Sequence, residues 1–210
     1  MENLGIVGCG ELGLQVLNIA KQQGKYEVAG FFDDFTPVGT ERCGVKILGT
    51  LGDIEKRLDA GDVDCLFLAV GYKSMAARKS LYERFASQGR FATLIHPRAY
   101  VDTTARISPG CIVYPGAIID KAVVLHENVL VNIGCIISHD SIIGAHSFLA
   151  PNVAIAGFVA TGECVNLGIS TTIIDNISVG ARIHTGGATV VVENIEKPGL
   201  YVGNPARFIR

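Results

Sequence analysis

Two domains of different rhythm are predicted here: an α/β unit of alternating strands and helices, then an all-β coil of short parallel strands with three sides. Three observations predict them. Apolar runs separated by helix-spaced segments fill the chain up to Ile95, His96-Pro97-Arg98 interrupts the pattern, and from Val101 onward aliphatic residues recur at every sixth position.

In the first domain, Leu4 to Val7 reads as a buried strand, and Leu12 to Gln22 carries Leu14, Val16, Leu17 and Ala20 close to helical spacing. Glu27 to Phe32 is strand-like and ends in Asp33-Asp34. A helical stretch at Leu51 to Leu58 leads into the apolar run Val63 to Val70, Lys73 to Gln88 is helical in composition, and Phe91 to Ile95 is a further strand. Strands alternating with helices imply parallel βαβ units. Proline continues neither a ladder nor a helix, so the boundary falls at Pro97, giving domains 1–97 and 98–210.

In the second domain the inward register is Val101, Ile107, Val113, Ile119, Leu125, Val131, Ile137 and Ile143, continuing at the same step to Val191. Only Thr161 and Thr185 in that series are not aliphatic. The position four residues after each is uncharged and often small, as at Ala117, Cys135, Ser147 and Thr171. Glycine often follows the inward residue directly (Gly144, Gly162, Gly168, Gly180, Gly186), which suggests a turn position. Such a register describes a triangular coil whose strands pair with the coils above and below, and roughly five coils fit, more than the three or so that repeat stability requires.

Composition limits the function classes. With 49% apolar and 18% charged residues the chain is an ordinary globular protein. Net charge is −2 with both signs interspersed, so nothing suggests nucleic acid or a membrane surface as partner. Small molecules and copies of the chain itself are expected instead. Met1-Glu2-Asn3 lacks a basic region, and Leu4 to Val7 is too short for a signal peptide or a span, which points to the cytoplasm. The six cysteines are scattered without a C-x-x-C pair and read as small reduced core residues.

Two features carry chemistry. Gly8-x-Gly10-x-x-Gly13 lies after a strand and before a helix, where backbone N–H groups can approach a phosphate, and Asp33 follows Gly13 by twenty positions as a ribose-binding carboxylate would. NAD, another nucleotide and a merely tight turn all compete for this motif, although the domain is only about half a full dinucleotide fold. His139 falls two residues after inward Ile137, at a turn, so its side chain should face outward and could accept a proton. Asp140 beside it could orient the imidazole or be a solvated turn residue. A zinc site shared between subunits is the competing reading for the outward candidates His126, His139, His146 and His184.

Taken together, Gly8-Cys9-Gly10-Glu11-Leu12-Gly13, Asp33-Asp34, Ser138-His139-Asp140, the hexapeptide coils and the closing Val202-Gly203-Asn204-Pro205-Ala206-Arg207 resemble the bacterial nucleotide-sugar N-acetyltransferases, relatives of the sialic acid O-acetyltransferase group. The resemblance implies a Rossmann-like domain holding a nucleotide sugar and a left-handed β-helix that forms a homotrimer. It implies acetyl-CoA as cosubstrate, no metal, and N-acetylation of a 4-amino sugar by direct attack, with His139 and Asp140 catalytic. Gly10, Glu11, Leu12, Asp33, Asp34, Gly71 and Asn132 would contact the sugar nucleotide, and Gly157, Ile169 and Gly187 the coenzyme, with a backbone N–H near Gly157 holding the oxyanion. An O-acetyltransferase of sialic acid type and a non-catalytic nucleotide-binding subunit are the alternatives. One departure stands out: close relatives carry a second histidine nine residues after the catalytic one, where this chain has Phe148.

Overall fold

The computed structural model describes residues 1–87 and 90–210. The chain divides into two compact units, Met1–His96 and Pro97–Arg210.

The first unit is a sheet of strands β1 (Glu2–Val7), β2 (Tyr26–Phe32), β3 (Glu41–Arg42), β4 (Val45–Gly49), β5 (Cys65–Leu68) and β6 (Arg90–Phe91), with helices α1 (Glu11–Gln23), α2 (Ile54–Asp59) and α3 (Met75–Phe85). Strand order is β3-β4-β2-β1-β5-β6, parallel except for the β3–β4 hairpin. The central strands are hydrophobic without alternation because both faces are covered: Leu4, Ile6 and Val7 of β1 and all of β5 are buried. On α1 the buried stripe is Gly13, Val16, Leu17, Ile19 and Ala20, so Ile19 rather than Leu14 completes it.

Three expectations change here. The β3–β4 hairpin was not foreseen, although buried Val45 and Ile47 alternate around exposed Lys46. Phe91 to Ile95 is not one strand: Arg90–Phe91 pairs with β5, and Leu94–Ile95 forms a separate short strand. The helix expected over Lys73 to Gln88 is a 3-10 turn at Tyr72–Ser74 followed by α3, and Gln88 lies outside the described residues.

The second unit is a left-handed parallel β-helix. Two-residue strands stack with a strict offset of eighteen, as in Ile112↔Leu130↔Phe148↔Asn166 on one face, Ile118↔Ile136↔Ala154↔Thr172 on the second and Val124↔Ile142↔Ala160↔Ser178 on the third. Both inward registers are buried from Val113 to Val191, including the small partners Cys111, Cys135, Ser141 and Thr171. At the corners the chain adopts a left-handed conformation three residues after each inward aliphatic, as at Asn128, Asp140, His146, Asn152 and Phe158 with φ of 57 to 59°. Each such non-glycine corner costs about 1–2 kcal/mol, while each fully buried aliphatic stabilises by about 1.5–3 kcal/mol. Two inward residues per corner therefore outweigh the strain.

This placement corrects the turn reading of the glycines. Gly144, Gly162, Gly168, Gly180 and Gly186 do not have positive φ. They are glycines because the next layer of chain leaves no room: a Cβ on Gly168 would lie 2.5 Å from the Thr185 carbonyl oxygen, and one on Gly144 would meet the Gly162 backbone. At the C-terminal end Gly199–Val202 pairs with Ile183–Thr185 and turns through Gly203-Asn204-Pro205-Ala206 into antiparallel Arg207–Phe208, covering a strand edge that would otherwise be open.

Candidate active site

Inward Ile137 and Ile143 belong to adjacent faces, so Ser138 to Ser141 must turn a corner. Buried Ser141 secures that corner, its hydroxyl donating to the Ala156 carbonyl (2.9 Å) and accepting from the Val159 N–H (3.1 Å). His139 is thereby left outside, with 47% of its side chain exposed. The left-handed φ of 58° at Asp140 swings the carboxylate back, and His139 Nδ1 lies 3.0 Å from Asp140 Oδ2. Sequence adjacency alone did not guarantee this contact. A carboxylate beside Nδ1 selects the tautomer protonated there and leaves Nε2 as the acceptor.

The imidazole lies across Gly157 of the next coil. A Cβ at Gly157 would stand 2.8 Å from His139 Cε1 and 2.9 Å from Nε2. Phe158 meets the ring edge-on, centroids 5.2 Å apart at 87°. Beside this corner an open groove of about 340 Å³ runs over the second face, lined by Ile136, Ser138, Ala154, Ala156, Thr172 and Ile174.

The other expected residues of this unit fall elsewhere. Asn132, Ile169 and Gly187 occupy the preceding corner, where Asn132 Oδ1 accepts the Ile133 N–H (2.9 Å) and the Ala188 N–H reaches the Ile169 carbonyl (2.8 Å). Phe148 lies on the first face, 9% exposed, between Leu130 and Asn166 and away from the His139 corner. His146, expected to face outward, is only 4% exposed because it lies over Asn128 of the coil below, whose Nδ2 is 2.9 Å from its Nδ1. His126 and His184 are exposed as expected. Among the described residues no three His, Cys, Asp or Glu side chains gather as metal ligands. Cys135 is fully buried, and burial pushes its thiol up to about 11, which makes it a poor nucleophile.

In the first unit the chain runs from β1 out through β2 to β4 and then crosses back to β5 on the other side of β1. At such a reversal open α/β sheets hold ligands in a crevice at the strand C-termini, here those of β1 and β5. The segments that leave those two strand ends are Gly8 to Gly10 and Ala69 to Gly71. Two of the three motif glycines answer to the fold: Gly8 has φ of 101° with Ala69 O crowding it, and a Cβ on Gly13 would strike the Gly8 carbonyl. Gly10 and Gly71 do not, since both have open space where a Cβ would stand and ordinary φ of −72° and −79°. Their bareness keeps the backbone approachable from the crevice. Glu11 is exposed at the first turn of α1 and Leu12 is half-buried.

Asp33 braces the crevice. Its Oδ2 accepts the Cys9 N–H (3.1 Å), and its Oδ1 accepts the N–H groups of Phe35 (3.0 Å) and Thr36 (2.9 Å). Asp34 Oδ1 accepts the Leu51 N–H (2.8 Å). Burial alone would raise the Asp33 carboxyl, but hydrogen bonds from Cys9, Phe35 and Thr36 outweigh it and hold the pKa below the ordinary value. A carboxylate depressed on folding stabilises above its unfolded pKa, about 4, and that contribution is lost as pH falls through the lower folded value. Asp33→Asn should therefore lower the Tm of the parent fold at pH 7 and narrow the gap to the parent as pH falls below about 4. Thermal melts from pH 3 to 7 check this; a gap constant with pH would rule it out.

Residues 3–85 match the PglD N-terminal domain family. Over the whole chain, the acetyltransferase domain of PglB from Neisseria gonorrhoeae FA1090 superposes with a TM-score of 0.91 at 28% identity, covering 100% of both chains, and that domain is also known in complex with acetyl coenzyme A. PerB from Caulobacter crescentus, in complex with CoA and GDP-perosamine, gives 0.92 at 26% identity over 100% of this chain and 98% of its own. The chain resembles these acetyltransferases along its whole length. WeeI from Acinetobacter baumannii AYE shares the fold, with a TM-score of 0.84 at 19% identity and full coverage of both chains. Among the described residues no helix is long and apolar enough to cross a membrane.

Proposed function

We propose that this chain is an acetyl-CoA-dependent N-acetyltransferase acting on the amino group of a nucleotide-linked 4-amino-4,6-dideoxy sugar. The observation that carries the reading is the His139–Asp140 pair, exposed at a coil corner beside an apolar groove. With Nδ1 held by Asp140, Nε2 accepts the proton that the amine loses as its nitrogen bonds to the thioester carbonyl carbon. As the C–S bond breaks, the same imidazolium returns that proton to the sulfur. His139 and Asp140 are thus the catalytic pair, with no covalent acyl-enzyme. The lining of Ile136, Ala154 and Ile174 fits the thioester arm of acetyl-CoA, with Gly157, Ile169 and Gly187 as further coenzyme contacts. Resemblance to a protein solved with CoA and GDP-perosamine supports this choice of ligands.

Domain 1–97 holds the nucleotide sugar at Gly10, Glu11, Leu12, Asp33, Asp34 and Gly71, with Asn132 near the amine; domain 98–210 carries the transfer. The exposed column Tyr100, Ile118 and Ile136 on the second face suits a homotrimer packed through the coils. Cys9, Cys65, Cys111 and Cys135 are buried, as small core residues of a cytoplasmic protein would be. The test is thiol release from acetyl-CoA with amino-sugar nucleotides, sialic acid and free amino sugars, alongside light scattering. Turnover of a 4-amino nucleotide sugar by a trimer is expected. Turnover of sialic acid alone would assign O-acetylation, and no turnover of any acceptor would leave a binding subunit.

A further inference from the structure

Phe35 is 96% exposed, the most exposed large apolar side chain among the described residues, yet its backbone is tightly held. Its N–H donates to Asp33 Oδ1, and the same oxygen takes the N–H of Thr36, so the residue sits on a closed Asx turn. The turn is tied to the glycine motif twice: Cys9 N–H donates to Asp33 Oδ2, and Cys9 Sγ lies 3.1 Å from Thr36 Oγ1. Asp34 fastens the other side to Leu51. Holding an aromatic ring out in water on a braced loop gains the fold nothing, because the ring buries no apolar surface there.

Its place supplies a reason. The glycine turn and the start of α1 suit the phosphates, and the loop after β2 suits the ribose, as in other sheets of this topology. A nucleoside continuing in that direction carries its base past Asp33 to the loop that presents Phe35. We propose that Phe35 is the stacking platform for the nucleobase of the sugar nucleotide, a binding residue that the glycine-motif reading missed. Stacking on a π-face tolerates either a purine or a pyrimidine, and the preorganised turn spares the cost of ordering the loop. This rests on the proposed nucleotide-sugar reading. An aromatic directly after an acidic pair was the signal available in the sequence.

The chain has no tryptophan, so Phe35→Trp installs a single fluorophore at the platform. Its emission should be quenched saturably by GDP or UDP and not by inorganic pyrophosphate. In the parent, Phe35→Ala should raise KM for the nucleotide sugar about tenfold or more, with kcat within about twofold and KM for acetyl-CoA unchanged. Phe35→Tyr should restore the parental KM. If the parent binds GDP or UDP but Phe35→Ala binds them equally well, the platform is refuted while the functional reading stands. If the parent binds neither nucleotide, the functional reading itself falls.

Discussion

His139→Ala is expected to lower kcat by about two to four orders of magnitude, the range for losing a general base. The oligomeric state and Tm should survive, because the imidazole is half exposed and its ring contacts Asp140, Gly157 and Phe158 at the surface of a corner whose backbone is held by Ser141. KM for both substrates should change little, since the proton is taken only as the bond forms. His184→Ala, also exposed but far along the coils, is the matched control; buried His146 is unsuitable because its loss would disturb Asn128. A His139→Ala enzyme with near-parental kcat would mean that the amine arrives already deprotonated and the protein only positions it.

Gly157→Ala is expected to cost about one to two orders of magnitude in kcat, through His139. The added Cβ would stand 2.8 Å from Cε1, so the imidazole must leave its seat. A displacement of about 1 Å in a reacting group can cost a hundredfold. Stability should hardly move, because the atom struck is the end of an exposed side chain that can swing away, and Gly157 has no left-handed φ to forbid alanine. KM for acetyl-CoA separates this from direct contact with the coenzyme: if Gly157 serves chiefly the coenzyme, KM rises and kcat holds. A variant with parental kcat would show that the imidazole does not depend on this seat.

Much of the second unit was legible in the sequence because each hexapeptide specifies its own inward residue, and stacking repeats that choice at every coil. Val113 through Val191 are buried where the six-residue step places them, and His139 is outside where its offset from Ile137 places it. In the first unit the apolar runs located β1, β2 and β5, while the hairpin at Glu41 to Gly49 had too short an apolar signal, interrupted by Lys46, to stand out.

What the linear pattern by itself determined was which residues face the core, since a strand's alternation and a coil's period are local properties of the backbone. Only the tertiary structure decided how close neighbouring coils and loops come. It took eighteen-residue stacking to put Gly157 under the His139 imidazole, to bury His146 over Asn128, and to make Gly168 a matter of clearance rather than of φ. It took the return of the chain to β5 to bring Ala69 against Gly8, and Asp33's three hydrogen bonds to leave Phe35 held in solvent. Those distances depend on atoms far apart along the chain, and no periodicity encodes them.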